Sequence, residues 1–257
     1  MGLFDKKYCS VCGEKIGFLG GMLGIRDLKD GHLCKDCGSK LSPFFSDKGA
    51  STVEQIKAQL AYREDNKKDV AAFHTTRVLG NDKKLYLDED ARKFMVCGEK
   101  NLAEANPDVI AFSAVTGCRL DVRESRSEEK EKKSDGTEVS YNPPHFVYSY
   151  YFTIRLTLNH PYISEISFDL NRSSVELHAI EMTGMLGYLK TQDAGYQSYQ
   201  KLGEEICEIF NKARTEAREQ AASANAPKQA SVCPACGATT FPDAHGCCEY
   251  CGSPLGK

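Results

Sequence analysis

Residues 151–158 (YFTIRLTL) alternate apolar and polar side chains without a break, the period of a strand that buries one face and wets the other. The same period of two governs much of the chain from residue 84 onward. LYL (85–87) and KFMV (93–96) flank the acidic stretch DEDAR (88–92) as the arms of a hairpin would. VIAF (109–112), CRLDV (118–122), ISEISFDL (163–170) and residues 175–180 add further short strands. About six or seven antiparallel strands of this length make a sandwich or a small open barrel.

Two segments switch to helical spacing. Ser51 and Glu54 read as a capping box with Ser51 as N-cap. Val53, Ile56 and Leu60 then share one face, while Gln55, Lys57 and Gln59 fall on the other side. This helix is expected to end between Tyr62 and Asn66, and residues 70–79 carry no readable period. From 193 to 220, Tyr196, Tyr199, Leu202, Ile206, Ile209 and Phe210 form an apolar stripe that should pack on the β core. The pattern therefore predicts an α+β chain whose small antiparallel β domain is closed by a C-terminal helix.

Residues 123–145 (RESRSEEKEKKSDGTEVSYNPPH) show neither period. Their mixed charges are expected to form a long solvated loop between strands, with docking as the functional alternative. Residues 221–232 (AASANAPKQASV) are small, polar and broken by Pro227, the composition of a flexible linker.

Apolar residues make up 41% and charged residues 27% of the 257 positions, ordinary values for a globular protein with one good-sized core. No run approaches the ~20 apolar residues of a membrane helix. Lys and Arg number 33 against 36 Asp and Glu, so the basic excess that phosphate neutralisation requires is missing. Nucleic acid and membrane are accordingly disfavoured as partners.

Cysteine changes the picture. Cys9-x2-Cys12 recurs as Cys34-x2-Cys37, and Cys233-x2-Cys236 recurs as Cys248-x2-Cys251. Each CxxC brings two thiolates close enough to share one ion, and two such pairs complete the tetrahedral four-sulfur set that zinc prefers. A glycine follows the second cysteine of every pair (Gly13, Gly38, Gly237, Gly252), where the turn around a metal asks for a backbone that glycine adopts cheaply. Two structural Zn2+ sites are expected. Disulfides are the competing reading, but the opening MGLFDKKYCSVCG has no apolar stretch of a secretory leader, so a reducing cytoplasmic setting is expected. A thioredoxin-type dithiol would need a βαβ setting that none of the four pairs has.

Cys97, Cys118 and Cys207 read as small buried hydrophobes. Cys247 competes in register with Cys248, but only Cys248 restores a CxxC with Cys251, so Cys247 is taken as a spare. Of the histidines, His32 and His245 lie inside the metal loops and are expected to face solvent because four cysteines already fill each site, with substitution as ligands the alternative, and His160 sits in a turn before Pro161. With His74, His145 and His178 they make no HExxH, and the chain has no GxSxG, P-loop or dinucleotide-binding glycine pattern. A closed four-sulfur site leaves no open position for substrate, so no catalytic residue is assigned and the protein is expected not to be an enzyme.

The pattern divides the chain into an N-terminal zinc ribbon (1–45), a helical connector (46–82), an antiparallel β domain with its closing helix (83–220), a linker (221–232) and a C-terminal zinc ribbon (233–257). CSVCGEKIGFLGGMLGIRDLKDGHLCKDCGSKLSPFF, running into STVEQIKAQLAYRE, resembles the N-terminal zinc-ribbon domain of an uncharacterised bacterial family of unknown function. CPACGATTFPDAHGCCEYCGSPL resembles the short double-knuckle ribbons that end many bacterial proteins. Strands closed by one amphipathic C-terminal helix resemble a pleckstrin-homology-like domain. The resemblances imply zinc ligation by the eight cysteines and no reaction. The resulting expectation is a zinc-binding, non-catalytic adaptor with protein partners. A redox-sensing zinc-thiolate protein and a nucleic-acid-associated zinc-ribbon protein stand as alternatives.

Overall fold

The computed structural model describes residues 7–16, 26–45, 48–180, 185–224, 230–243 and 246–255. The chain forms two compact units, residues 1–214 and 215–257. In chain order the elements of the first are β1 (Arg26–Asp27), β2 (His32–Leu33), α1 (Lys35–Ser39), α2 (Val53–Ala72), β3 (Arg77–Leu79), β4 (Lys84–Asp88), β5 (Lys93–Cys97), α3 (Leu102–Ala105) and β6 (Ile110–Ala111). They continue with β7 (Val115–Lys132), β8 (Glu138–Leu158), β9 (Glu165–Asp169), β10 (Val175–Ile180), α4 (Met185–Gln192) and α5 (Ala194–Ala224), the last of which runs on past the boundary between the units. The second unit also holds β11 (Ser231–Val232) and β12 (Thr239–Thr240).

β3 to β6 form a four-stranded antiparallel meander. The second sheet is built on β8. β7 lies along one edge, and the other edge is shared by β10, paired with residues 145–150, and β9, paired with residues 153–157. Strict alternation in β8 buries Tyr150, Phe152, Ile154, Leu156 and Leu158 against Leu85, Leu87 and Phe94 of the first sheet. α5 seals this core. The Phe210 ring stands edge-on to Phe94 at 4.9 Å and to Phe112 at 5.6 Å, the offset geometry aromatic quadrupoles favour. The expected helix stripe and most expected strands are thus present. The VIAF segment pairs only at Ile110–Ala111 before a 3-10 turn takes over.

The charged segment 123–145 is not a loop. β7 and β8 continue through it as a two-stranded hairpin that reverses at residues 133–137, where Lys133 N–H donates to the Thr137 carbonyl at 2.8 Å. No face of this arm is buried, so its sequence carries no hydrophobic period. Backbone pairing holds it, with Arg126 over the Phe146 ring (4.4 Å), Arg123 over Tyr151 (4.9 Å) and His178 against Glu129 (3.0 Å) as side-chain rungs. The register jumps from Glu129↔His145 to Lys130↔Ser140, which leaves residues 141–144 unmatched. Pro143 and Pro144 fall there and have no N–H to give a ladder.

α2 also departs from expectation. Its N-cap is Thr52, not Ser51. The Thr52 hydroxyl accepts from Gln55 N–H and the Gln55 side chain closes the box. The helix runs to Ala72, beyond the expected end near Asn66. Its buried positions are Ile56, Gln59, Arg63 and Asn66, a helical stripe made mostly of polar side chains. Gln59 is therefore fully buried rather than on the wet side.

The polar stripe is matched by the segment before β6. Arg63 Nη1 donates to Asp108 Oδ1 at 2.9 Å, and Ser42 Oγ donates to Asp108 Oδ2 at 2.7 Å. Asn66 Nδ2 donates to Asn106 Oδ1 and the Pro107 carbonyl, its Oδ1 accepts from Val109 N–H, and Asn106 Nδ2 returns a bond to the Arg63 carbonyl. This network fastens the N-terminal module to the β core.

α5 reaches Ala224 and β11 begins at Ser231, both inside the stretch expected as linker. Its first residues, AASA, are small, but alanine is the strongest helix former and continues the preceding helix. Residues 225–229, Pro227 among them, lie outside the described residues, as does His245.

Candidate metal centres

In the first unit, Cys9 and Cys12 lie on a tight turn, and Cys34 and Cys37 lie where β2 passes into α1. Asp30-Gly31 closes the β1–β2 hairpin, with Leu28 N–H donating to the Gly31 carbonyl at 2.9 Å. Gly31 is required for space: a Cβ there would lie 2.3 Å from Ser10 Oγ. Ser10 ties the two halves together, its N–H to the His32 carbonyl at 2.8 Å and its Oγ from His32 N–H at 3.0 Å. The sulfurs of Cys9, Cys12, Cys34 and Cys37 all fall within 4.8 Å of one another.

The second unit repeats the arrangement with Cys233, Cys236, Cys248 and Cys251, whose sulfurs meet the same limit. Three of the four knuckles share one backbone pattern. Gly13, Gly237 and Gly252 donate to the carbonyls of Cys9, Cys233 and Cys248 at 2.8 Å, and those cysteines donate in turn to Glu14, Ala238 and Ser253. All three glycines have φ near +75° (77, 74 and 71°), a region costly for any residue with a Cβ. The fourth knuckle differs. Gly38 donates to the Cys34 carbonyl at 2.9 Å but lies inside α1, so its glycine is not needed for a left-handed turn. Gly13→Ala is therefore expected to destabilise the first cluster by about 1–2 kcal/mol. Gly38→Ala, whose new Cβ meets Leu33 Cδ2 at an ordinary 3.6 Å, should change stability little. Thermal melts of the two variants check this, and equal shifts would refute it.

Electrostatics favour a cation at both places. Burial pushes the Cys9 thiol up, but N–H groups of Cys12, Cys34 and Val11 point at its sulfur and bring it down to about 6. Burial pushes Cys34 and Cys37 up. In the second cluster the Ser253 hydroxyl and N–H bring Cys251 down to about 6. Cys236 receives an N–H from Ala238, yet the crowding sulfurs of Cys251, Cys233 and Cys248 raise it to about 12. One thiolate per cluster is thus held ready, and a bound cation would drive off the remaining protons.

The spacing permits a fit test. A tetrahedral ion with metal–sulfur bonds of about 2.3 Å has sulfur–sulfur edges of about 3.8 Å. Cys12–Cys34 is 3.8 Å, Cys233–Cys251 is 3.6 Å and Cys236–Cys248 is 3.7 Å. These three edges match that geometry, and both groups could hold a metal ion.

Cys247 is not a member of its group. Its N–H donates to Asp243 Oδ1 at 2.8 Å, and it bridges to Pro254. His32 Nδ1 bonds Asp27 Oδ1 at 2.8 Å, which occupies it elsewhere than on the sulfurs. Among the described residues one further set of ligand-type side chains converges: His74, Asp88 and Asp90. Asp88 spends its carboxylate on the N–H groups of His74 (3.1 Å) and Ala91 (2.8 Å), a brace for the β4–β5 turn.

Three features escaped sequence reasoning. The Arg63–Asp108 network and the buried Gln59 left no apolar signal. Cys118 and Cys207 meet with their sulfurs 3.1 Å apart, and only tertiary packing brings them together. Cys97 is buried in β5 as expected.

Residues 7–59 match the family described as a domain of unknown function (DUF4428). The match covers the first cysteine group and the start of α2, which are joined in the structure by Val53 N–H donating to Asp30 Oδ1 at 2.8 Å. Comparison with curated proteins and with solved structures finds no match. No described helix is long and apolar enough to cross a membrane.

Proposed function

We propose that each four-cysteine group holds one structural Zn2+ and that the protein is a non-catalytic, cytoplasmic adaptor that binds other proteins. The observation that carries this reading is the convergence of two four-sulfur sets, each with all its sulfurs within 4.8 Å of one another and with sulfur pairs at 3.6–3.8 Å. An all-sulfur donor set selects a soft or borderline ion such as zinc over calcium or magnesium, and four sulfurs leave no coordination position for a substrate. The order of the central elements, a four-stranded meander, then a sheet built on β8, then a core-sealing helix, supports the pleckstrin-homology-like reading. Such a scaffold offers sheet edges and hairpins as docking surfaces.

The test begins with metal content. Protein purified under reducing conditions without added metal is expected to carry two zinc ions per chain, read by elemental mass spectrometry. Iron in place of zinc, or cysteines recovered as disulfides within each group, would overturn the reading. Metal-loaded chain should also retain the same partners reproducibly, and a Cys233→Ser chain should lose part of that set.

A further inference from the structure

Cys118 and Cys207 lie 89 residues apart in sequence, and the Cys118 thiol donates to the Cys207 sulfur across 3.1 Å. Neither belongs to a four-cysteine group. We propose that these two residues form a peroxide-responsive dithiol that closes to a disulfide and staples α5 to β7.

The packing explains why they meet. Gly203 and Cys207 are one helical turn apart on one face of α5, and Leu120 and Cys118 are two residues apart on one face of β7. A Cβ at Gly203 would lie 2.6 Å from Leu120 Cδ1, so the missing side chain lets helix and strand approach closely. One turn on from Phe210, Arg214 Nη1 donates to the Thr116 carbonyl at 2.9 Å. The helix thus runs down the strand in register, Gly203 over Leu120, Cys207 at Cys118 and Arg214 at Thr116. Two thiols filling space have no need of such a row. Closing the sulfurs from 3.1 Å to a bond of about 2.05 Å needs side-chain rotation within this fixed register.

The chemistry has a natural direction. The hydrogen bond from Cys118 favours the thiolate of Cys207, which is shifted down from its ordinary value, while that bond and burial push Cys118 up. The Cys207 thiolate attacks one oxygen of hydrogen peroxide, the O–O bond breaks, and after protonation a water leaves with Cys207 as sulfenic acid. Cys118 then attacks that sulfur and the S–O bond breaks. Its proton leaves with the hydroxyl as a second water. Two thiols are oxidised, one peroxide is reduced to two waters, and a disulfide remains. Both thiols are half-buried rather than sealed, which leaves a path for so small an oxidant.

The experiment exposes the metal-loaded full chain to equimolar hydrogen peroxide, alkylates the remaining thiols and maps the peptides by mass spectrometry. The expected product is the Cys118 peptide linked to the Cys207 peptide with metal content unchanged. The melting temperature should rise by roughly 10 °C, because the bond closes a long loop, and dithiothreitol should reverse the rise. Cys207→Ala removes only a half-buried thiol from a helix, so it should fold, leave Cys118 reduced and show no rise. The proposal fails if both cysteines stay alkylatable, if either is found joined to a cysteine of the metal groups, or if Cys207→Ala melts higher after peroxide.

Discussion

Arg63→Ala is expected to destabilise the first unit by about 3–5 kcal/mol, because it leaves a buried carboxylate without its cation. Arg63 and Asp108 side chains are 8% and 1% exposed, so solvent cannot rescue either one. Ser42 Oγ would remain as a donor to Asp108, but a neutral hydroxyl offsets only part of the lost charge pairing. Chemical denaturation reads the effect directly, and a loss below about 1 kcal/mol would show that the pair is replaceable. The neighbouring position should behave oppositely. Gln59 is fully buried and its amide atoms have no hydrogen-bond partner among the described residues. Gln59→Met keeps the volume and removes that polarity, so it is expected to be neutral or stabilising.

Removing the metal should have a larger and more local effect. The small core around the first cysteine group consists of Cys9, Leu28, Leu33, Cys37, Leu41, Phe45 and Ile56, so two of its buried members are sulfurs of the proposed site. So few residues cannot bury enough surface to hold a fold unaided, and the ion supplies the missing free energy. Chelation, or Cys37→Ser, is expected to erase hydrogen-exchange protection at the amides of Cys9, Gly13 and Gly38. Tyr150 to Leu158 should stay protected, because their core contains no ligand. Uniform loss of protection across both would mean that the module and the β core unfold as one. Retained protection at Gly13 and Gly38 would mean that no ion is needed.

How much of this was legible in the sequence depended on where each signal resides. β8 announced itself through alternation because one face of it is buried over residues 150–158. The arm beyond it was invisible because both its faces are wet, and pairing driven by backbone hydrogen bonds leaves no mark on side-chain hydrophobicity. The full length of α2 is hidden for a related reason. Its buried stripe obeys helical spacing, but Gln59, Arg63 and Asn66 fill it, and Arg63 and Asn66 are satisfied there only by partners from elsewhere in the chain. Asp108 and Asn106 are distant in sequence, and nothing local names them.

The sequence by itself determined the two cysteine sets, three of the four glycine turns beside them, the alternation of β8 and the stripe of α5, since spacing and local backbone chemistry suffice for each. Only the tertiary structure decided that residues 123–145 pair as strands, that Gly38 sits in a helix, that Arg63 finds Asp108 and that Cys118 touches Cys207. Those features depend on which distant segments meet, and a contact between distant segments leaves no period in either of them.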